Sequence, residues 1–150
     1  MNAEALRVVV ALVLFLHALA HLVALGALLA IVVGTRSPTG AVLRLWVLPR
    51  ASVRSAALVG VVLWGAAAAG FLASAAAFWG LGLDPSAWRP LAVGASLISL
   101  LGLAVFAGTW PGSPSRQRSV LNTAIATLTD LTILAVLMVL RWPPVELFGR

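Results

Sequence analysis

Residues 6–33 read LRVVVALVLFLHALAHLVALGALLAIVV. After Arg7 this run carries no charge, and it exceeds the roughly 20 apolar residues that a helix needs to cross the hydrocarbon of a bilayer. In its middle stand His17 and His21, the only two histidines of the chain. A polar side chain at that depth is costly, turns toward other helices or a cavity, and is by default a functional-site hypothesis. The run therefore decides the class of the protein and points to its chemistry at once.

Working outward, three more apolar runs follow, at residues 53–79, 91–110 and 120–140. Only helices or closed barrels satisfy their own backbone in lipid. Continuous runs of about 20 residues select helices over the alternating segments of about ten that a barrel would show. The expected fold is all-α, an integral membrane four-helix transmembrane bundle of up-down topology, in a single domain over 1–150 with no separate linker or tail. The first run also has the outline of a signal peptide, with Ala18-Leu19-Ala20 as a small-residue cleavage site. Its apolar stretch, however, continues well beyond the roughly 7–15 residues of a signal core, so a retained helix is the reading adopted.

Composition agrees. Of 150 residues 62% are hydrophobic and 9% charged, far below the roughly 25% charged residues of a soluble domain. The ten basic residues are all arginine and lie almost entirely between the apolar runs or at their ends, where they would meet lipid headgroups. Nucleic-acid binding calls for a basic face on a soluble fold, so no nucleic-acid partner is expected. The absence of cysteine removes disulfides, thiolate metal sites and cysteine nucleophiles.

Orientation follows from arginine placement. Loops 34–52 and 111–119, with the residues flanking them, hold Arg36, Arg44, Arg50, Arg54, Arg116 and Arg118 and no acid. The other side holds Arg7, Arg89, Arg141 and Arg150 beside Glu4, Asp84 and Glu146. Basic residues in short loops stay inside, so both loops are expected to be cytoplasmic and the termini external. Ala41–Leu48, too short to span and containing Arg44 and Trp46, reads as an interfacial segment. Trp79, Trp88, Trp110 and Trp142 fall near span ends, where an aromatic belt would anchor them; Trp64 lies inside the second run and reads as packing.

Small residues recur at Ala66, Gly70 and Ser74 on the second run and at Ala95, Ser99 and Gly102 on the third. Membrane helices associate through small residues that let backbones approach, so both stripes are read as helix-packing surfaces, with self-association as the alternative.

The fourth run gathers Asn122, Thr123, Thr127, Thr129, Asp130 and Thr132 in its first half. Threonines can return their hydroxyl to the carbonyl one turn earlier, but an aspartate at mid-span costs about 2.5–3.5 kcal/mol on insertion scales. At about 100° per residue, Ser119, Thr123, Thr127 and Asp130 share one face, and His17 and His21 share a face of the first helix. Both faces should look inward at similar depth, bringing His17, His21 and Asp130 together between neighbouring first and fourth helices.

Three readings of this cluster stay open. It is a structural polar lock in an accessory, assembly or structural subunit. Or it binds a metal or relays protons, since histidines at i and i+4 can meet one cation while a carboxylate adds a third ligand; Ala18 stands where a hydrolytic zinc helix would carry its glutamate. Or it belongs to a haem- or quinone-associated redox subunit, in which case haem needs a second axial ligand from a partner, because both histidines lie on one side of one helix. The non-enzymatic class is favoured. Expected partners are membrane lipid and other membrane subunits or further copies of the chain.

The stretch Leu16-His17-Ala18-Leu19-Ala20-His21-Leu22-Val23, with Leu140-Arg141-Trp142-Pro143 near the end, resembles small four-helix bacterial membrane proteins that are DoxX-like in size and topology. Their opening reads His-Gly-Leu-Ala-His, and Ala18 replaces that glycine here. The resemblance implies four spans and a bacterial plasma membrane, and it implies no activity.

Overall fold

A computed structural model describes residues 3–35 and 50–143. It contains four long helices, α1 (Ala3–Val32), α2 (Val53–Trp79), α3 (Trp88–Val105) and α4 (Arg116–Leu134), and no strand among the described residues. All four segments are long and apolar enough to cross a membrane. The interfacial reading of Ala41–Leu48, with Trp46, lies outside the described residues.

Each helix starts and stops for a local reason. Ser52 caps α2 by accepting a hydrogen bond from the Ser55 N–H at 3.0 Å, which satisfies one of the donors that a first turn leaves free. Gly80 ends the helix at φ 69°, and its N–H and that of Leu81 return to the carbonyls of Ala77 and Ala76. That left-handed stop costs glycine nothing. Asp84 then caps a single 3₁₀ turn, Pro85–Ala87, that runs straight into α3. Ser115 caps α4. Beyond Leu134 the chain continues as a π-helical turn, Ala135–Val139, closed by Leu140 N–H on the Ala135 carbonyl at 3.0 Å. The chain is then clasped to α3, where the Arg89 guanidinium donates to the Pro143 carbonyl.

The end of the third helix departs from the hydropathy reading. The third helix ends at Val105 rather than at 110: Phe106–Gly108 turns, with Gly108 at φ 74°, and the following residues fold back toward the core. The tryptophans divide as well. Trp79 and Trp142 are exposed, but Trp88 and Trp110 are buried and serve the interior. Trp64 is buried against Phe106 and Trp110, the packing role read for it.

Close backbone packing runs from α1 to α2, from α2 to α3 and from α3 to α4; α1 and α4 make no comparable backbone approach. In the third-run stripe, Ala95, Ser99 and Gly102 are all buried. The second-run stripe is only partly right. A Cβ on Gly70 would stand 2.9 Å from Ala95 Cβ, and Ser74 is buried and donates to the Trp88 carbonyl at 2.7 Å, but Ala66 faces outward. The next two residues, Ala67 and Ala68, are buried instead.

The apolar interior comes in two clusters. One gathers Ala24, Leu28, Trp64, Leu103, Phe106, Trp110 and Ala126 among others. The other gathers Leu14, Ala18, Phe71, Trp88, Ala95 and Ile133 among others. His17, His21, Ser99 and Asp130 are all buried; His21, Ser99 and Asp130 fall between the two clusters along α1, α3 and α4, and His17 lies beside Ala18 within the second.

Candidate functional site

The spacing of four residues puts both imidazoles on the buried face of α1, one turn apart, with ring centroids 4.8 Å from each other. On α4 the same helical arithmetic turns Asp130 inward, where it is completely buried. His17 Nε2 lies 2.8 Å from Asp130 Oδ1. The ligand atoms of His17, His21 and Asp130 all fall within 4.8 Å of one another. The three residues are thus gathered at one place, and α1 and α4 meet there through side chains rather than through packed backbones.

A fourth member comes from α3. Ser99 Oγ donates to Asp130 Oδ2 at 2.5 Å and stands 3.1 Å from His21 Nε2. A hydroxyl has one hydrogen. With that hydrogen given to the carboxylate, the serine oxygen accepts from His21, so the ring carries its proton on Nε2. His17, Asp130, Ser99 and His21 then form one unbroken hydrogen-bonded chain across three helices. The other nitrogen of His21, Nδ1, is buried and has no hydrogen-bond partner among the described residues. Such atoms are uncommon in folded proteins and call for an explanation.

Aromatic rings close the site. Phe71 of α2 meets His17 edge-on at 4.7 Å and stacks on His21 at 5.8 Å with the planes only 3° apart. Trp110 covers His21 from the loop after α3, at 5.9 Å. That loop is held by Ser119, whose hydroxyl receives the Trp110 N–H and donates to the Gly108 carbonyl at 3.1 Å.

The supporting polar face therefore divides into separate tasks. Ser119 is buried and anchors the loop, acting on the site only through Trp110. Thr127 returns its hydroxyl to the Thr123 carbonyl at 2.8 Å. Thr123 Oγ1 is buried without a partner among the described residues. Neither threonine bonds to the histidines.

Sequence reasoning assigned Ser99 to packing, Trp110 to the membrane interface, and Phe71 to nothing. Ser99 could have been found by depth: it lies in the middle of the third run, level with Asp130 in the fourth. Phe71 and Trp110 carried no such signal, because an aromatic residue in an apolar run reads the same whether it faces an imidazole or lipid.

No protein-family profile, characterised protein or solved structure matches this chain.

Proposed function

We propose that the protein is a small multi-pass subunit of a bacterial plasma membrane, non-enzymatic, and accessory to the assembly or geometry of a larger membrane complex. In this reading the His17–Asp130–Ser99–His21 chain is the lock that sets how α1 stands to α4. The observation that carries it is the bridge itself: α1 and α4 lack close backbone packing, yet a 2.8 Å side-chain contact joins them at the buried centre. Hydrogen bonds between membrane helices average only about 0.6 kcal/mol, so such a lock contributes register more than stability.

The up-down order belongs to the same proposal, and the shared apolar clusters support it. Leu14 of α1, Phe71 of α2, Ala95 of α3 and Ile133 of α4 meet in one cluster, and Leu28, Trp64, Leu103 and Ala126 meet in the other. Sequence numbers rise from the first cluster to the second along α1 and α3 and fall along α2 and α4, as alternating directions require. The arginine pattern favours cytoplasmic loops 34–52 and 111–119. The chain has no cysteine, so single cysteines report cleanly: Ser115→Cys should resist an impermeant thiol reagent in intact cells, and Ser86→Cys should label. The opposite pattern would reverse the orientation.

The subunit reading is tested by mild-detergent extraction from native membranes followed by native mass spectrometry. A stoichiometric assembly with another membrane polypeptide, lost in Asp130→Asn, is the expected result. Recovery of the 15.5 kDa chain alone, in the wild type as in the variant, would sink it.

A further inference from the structure

We propose that His17, His21 and Asp130 bind one transition-metal dication of the zinc class, with Ser99 orienting two of the three ligands. The proposal uses the same cluster as the functional reading above but does not depend on the protein being a subunit.

Ligand chemistry sets the class. Two imidazoles and one carboxylate suit zinc and its late first-row neighbours, whereas magnesium and calcium ask for oxygen ligands throughout. Three protein ligands leave a fourth position for water or another small donor. Zinc–nitrogen and zinc–oxygen bonds of about 2.0–2.2 Å place tetrahedral donors about 3.4 Å apart. One ring nitrogen or carboxylate oxygen from each of the three residues lies within 4.8 Å of the others, so the widest of those pairs must close by roughly 1.4 Å to reach that spacing.

Hydrogen bonding around the cluster already has the form of a metal's outer support. Ligating histidines characteristically donate their other ring N–H to an oxygen that fixes the ring. Ser99 receives that N–H from His21 and donates in turn to Oδ2 of Asp130, leaving Oδ1 for the metal. His21 Nδ1, in a side chain 1% exposed and without a partner among the described residues, is a lone pair that a cation would satisfy. Oδ1 now faces His17 Nε2. On binding, the metal takes the place of the hydrogen between them. A neutral His17, which donates through Nε2, moves that proton to Nδ1 by way of solvent, and an imidazolium releases its Nε2 proton to solvent and keeps the one on Nδ1; no electron transfer is involved. Phe71 and Trp110 cover the imidazoles, which excludes competing water and strengthens the electrostatic attraction between cation and carboxylate.

The test uses the full chain in detergent with an affinity tag free of histidine. Equilibrium dialysis against Zn²⁺ and Co²⁺ should give saturable uptake of one ion per chain, and bound Co²⁺ should show the intense visible absorption of a tetrahedral site. Asp130→Asn, His17→Gln and His21→Gln should each weaken binding by at least ~100-fold, at or beyond the about 10–100-fold that loss of an orienting partner costs, and Ser99→Ala by about 10-fold. Because the chain has only two histidines, ¹⁵N-histidine labelling gives a second readout that needs no variant: Zn²⁺ should shift the ring nitrogens of both. Absence of saturable uptake by the folded wild type, unmoved ring nitrogens, or equal affinities in wild type and all three ligand variants would overturn the proposal. A stable subunit complex recovered without metal binding would overturn the metal site alone, and metal binding by a chain that has no partner would overturn only the subunit reading.

Discussion

The seam between α2 and α3 and the seam between α1 and α4 solve the same problem by opposite means. At the first, side chains are small: Gly70 lets Ala95 come so close that a Cβ would stand 2.9 Å from its methyl, and a polar contact, Ser74 on the Trp88 carbonyl, sits at the end. At the second, the backbones stay apart and long polar side chains reach across to meet at 2.8 Å. Lipid tails solvate leucine as well as a neighbouring helix does, so membrane helices adhere either by shape or by hydrogen bonds. Shape gives a contact distributed along a helix. Hydrogen bonds concentrate it at one residue, where a single substitution can remove it.

The largest effect should therefore come from Asp130. Asp130→Ala leaves His17 Nε2 and the Ser99 hydroxyl without their shared acceptor. Breaking a buried pair at one end costs about 3–5 kcal/mol in soluble proteins, but membrane hydrogen bonds are worth less because the unfolded chain in the bilayer also finds partners. We expect a loss of about 2 kcal/mol in detergent-titration unfolding. Combining Asp130→Ala with His17→Gln should add little, since members of one network couple whereas distant sites add. Full additivity would mean that the two seams are held by the same distributed packing.

At the α2–α3 seam, Gly70→Ala should cost about 1 kcal/mol, the lower end of the overpacking range, because the methyl it meets has Ala95 Cα behind it, at 3.5 Å, and the helices must part. Gly102→Ala should cost less, its nearest neighbour at 3.2 Å being the edge of the Trp64 ring rather than a seam carried by backbone. Smaller still, Ala66→Leu should change stability by no more than about 0.5 kcal/mol, since Ala66 faces outward. A large effect at Ala66 would point to a contact beyond the single chain.

Helix number was legible because length and apolarity alone decide what can span. The cluster of His17, His21 and Asp130 was legible because polar residues are rare in such runs and their spacing fixes their face. What failed was finer. Spacing of four residues drifts about 40° per step, so Ala66 and Ser74 stand about 80° apart, and one stripe passes from the exterior to the core along its length. The end of α3 was hidden because Phe106, Ala107 and Trp110 are as apolar as the helix before them; only Gly108 marks the turn. Ser99 was hidden by its size: a serine among alanines and glycines is read as a small residue until a buried carboxylate is found beside it.

The smallest effect lies outside both seams, in the turn that delivers α3 to α2. Asp84 accepts the Ser86 N–H at 2.8 Å, and that bond holds its carboxyl below the ordinary carboxylate range. A carboxyl whose pKa is lowered on folding contributes stability above its unfolded pKa and loses it as pH falls through the lowered value. Asp84 is fully exposed to solvent, so the contribution is modest and should be screened by salt. Asp84→Ala should therefore be slightly less stable than wild type at neutral pH, by much less than Gly70→Ala, and the difference should shrink in acid as the wild-type carboxyl becomes protonated. The Ser74 bond to the Trp88 carbonyl lies just beyond this turn and needs no charge, so the α2–α3 seam itself should not respond. A difference that stays constant from neutral to acid would show that Asp84 acts by its shape in the turn rather than by its charge.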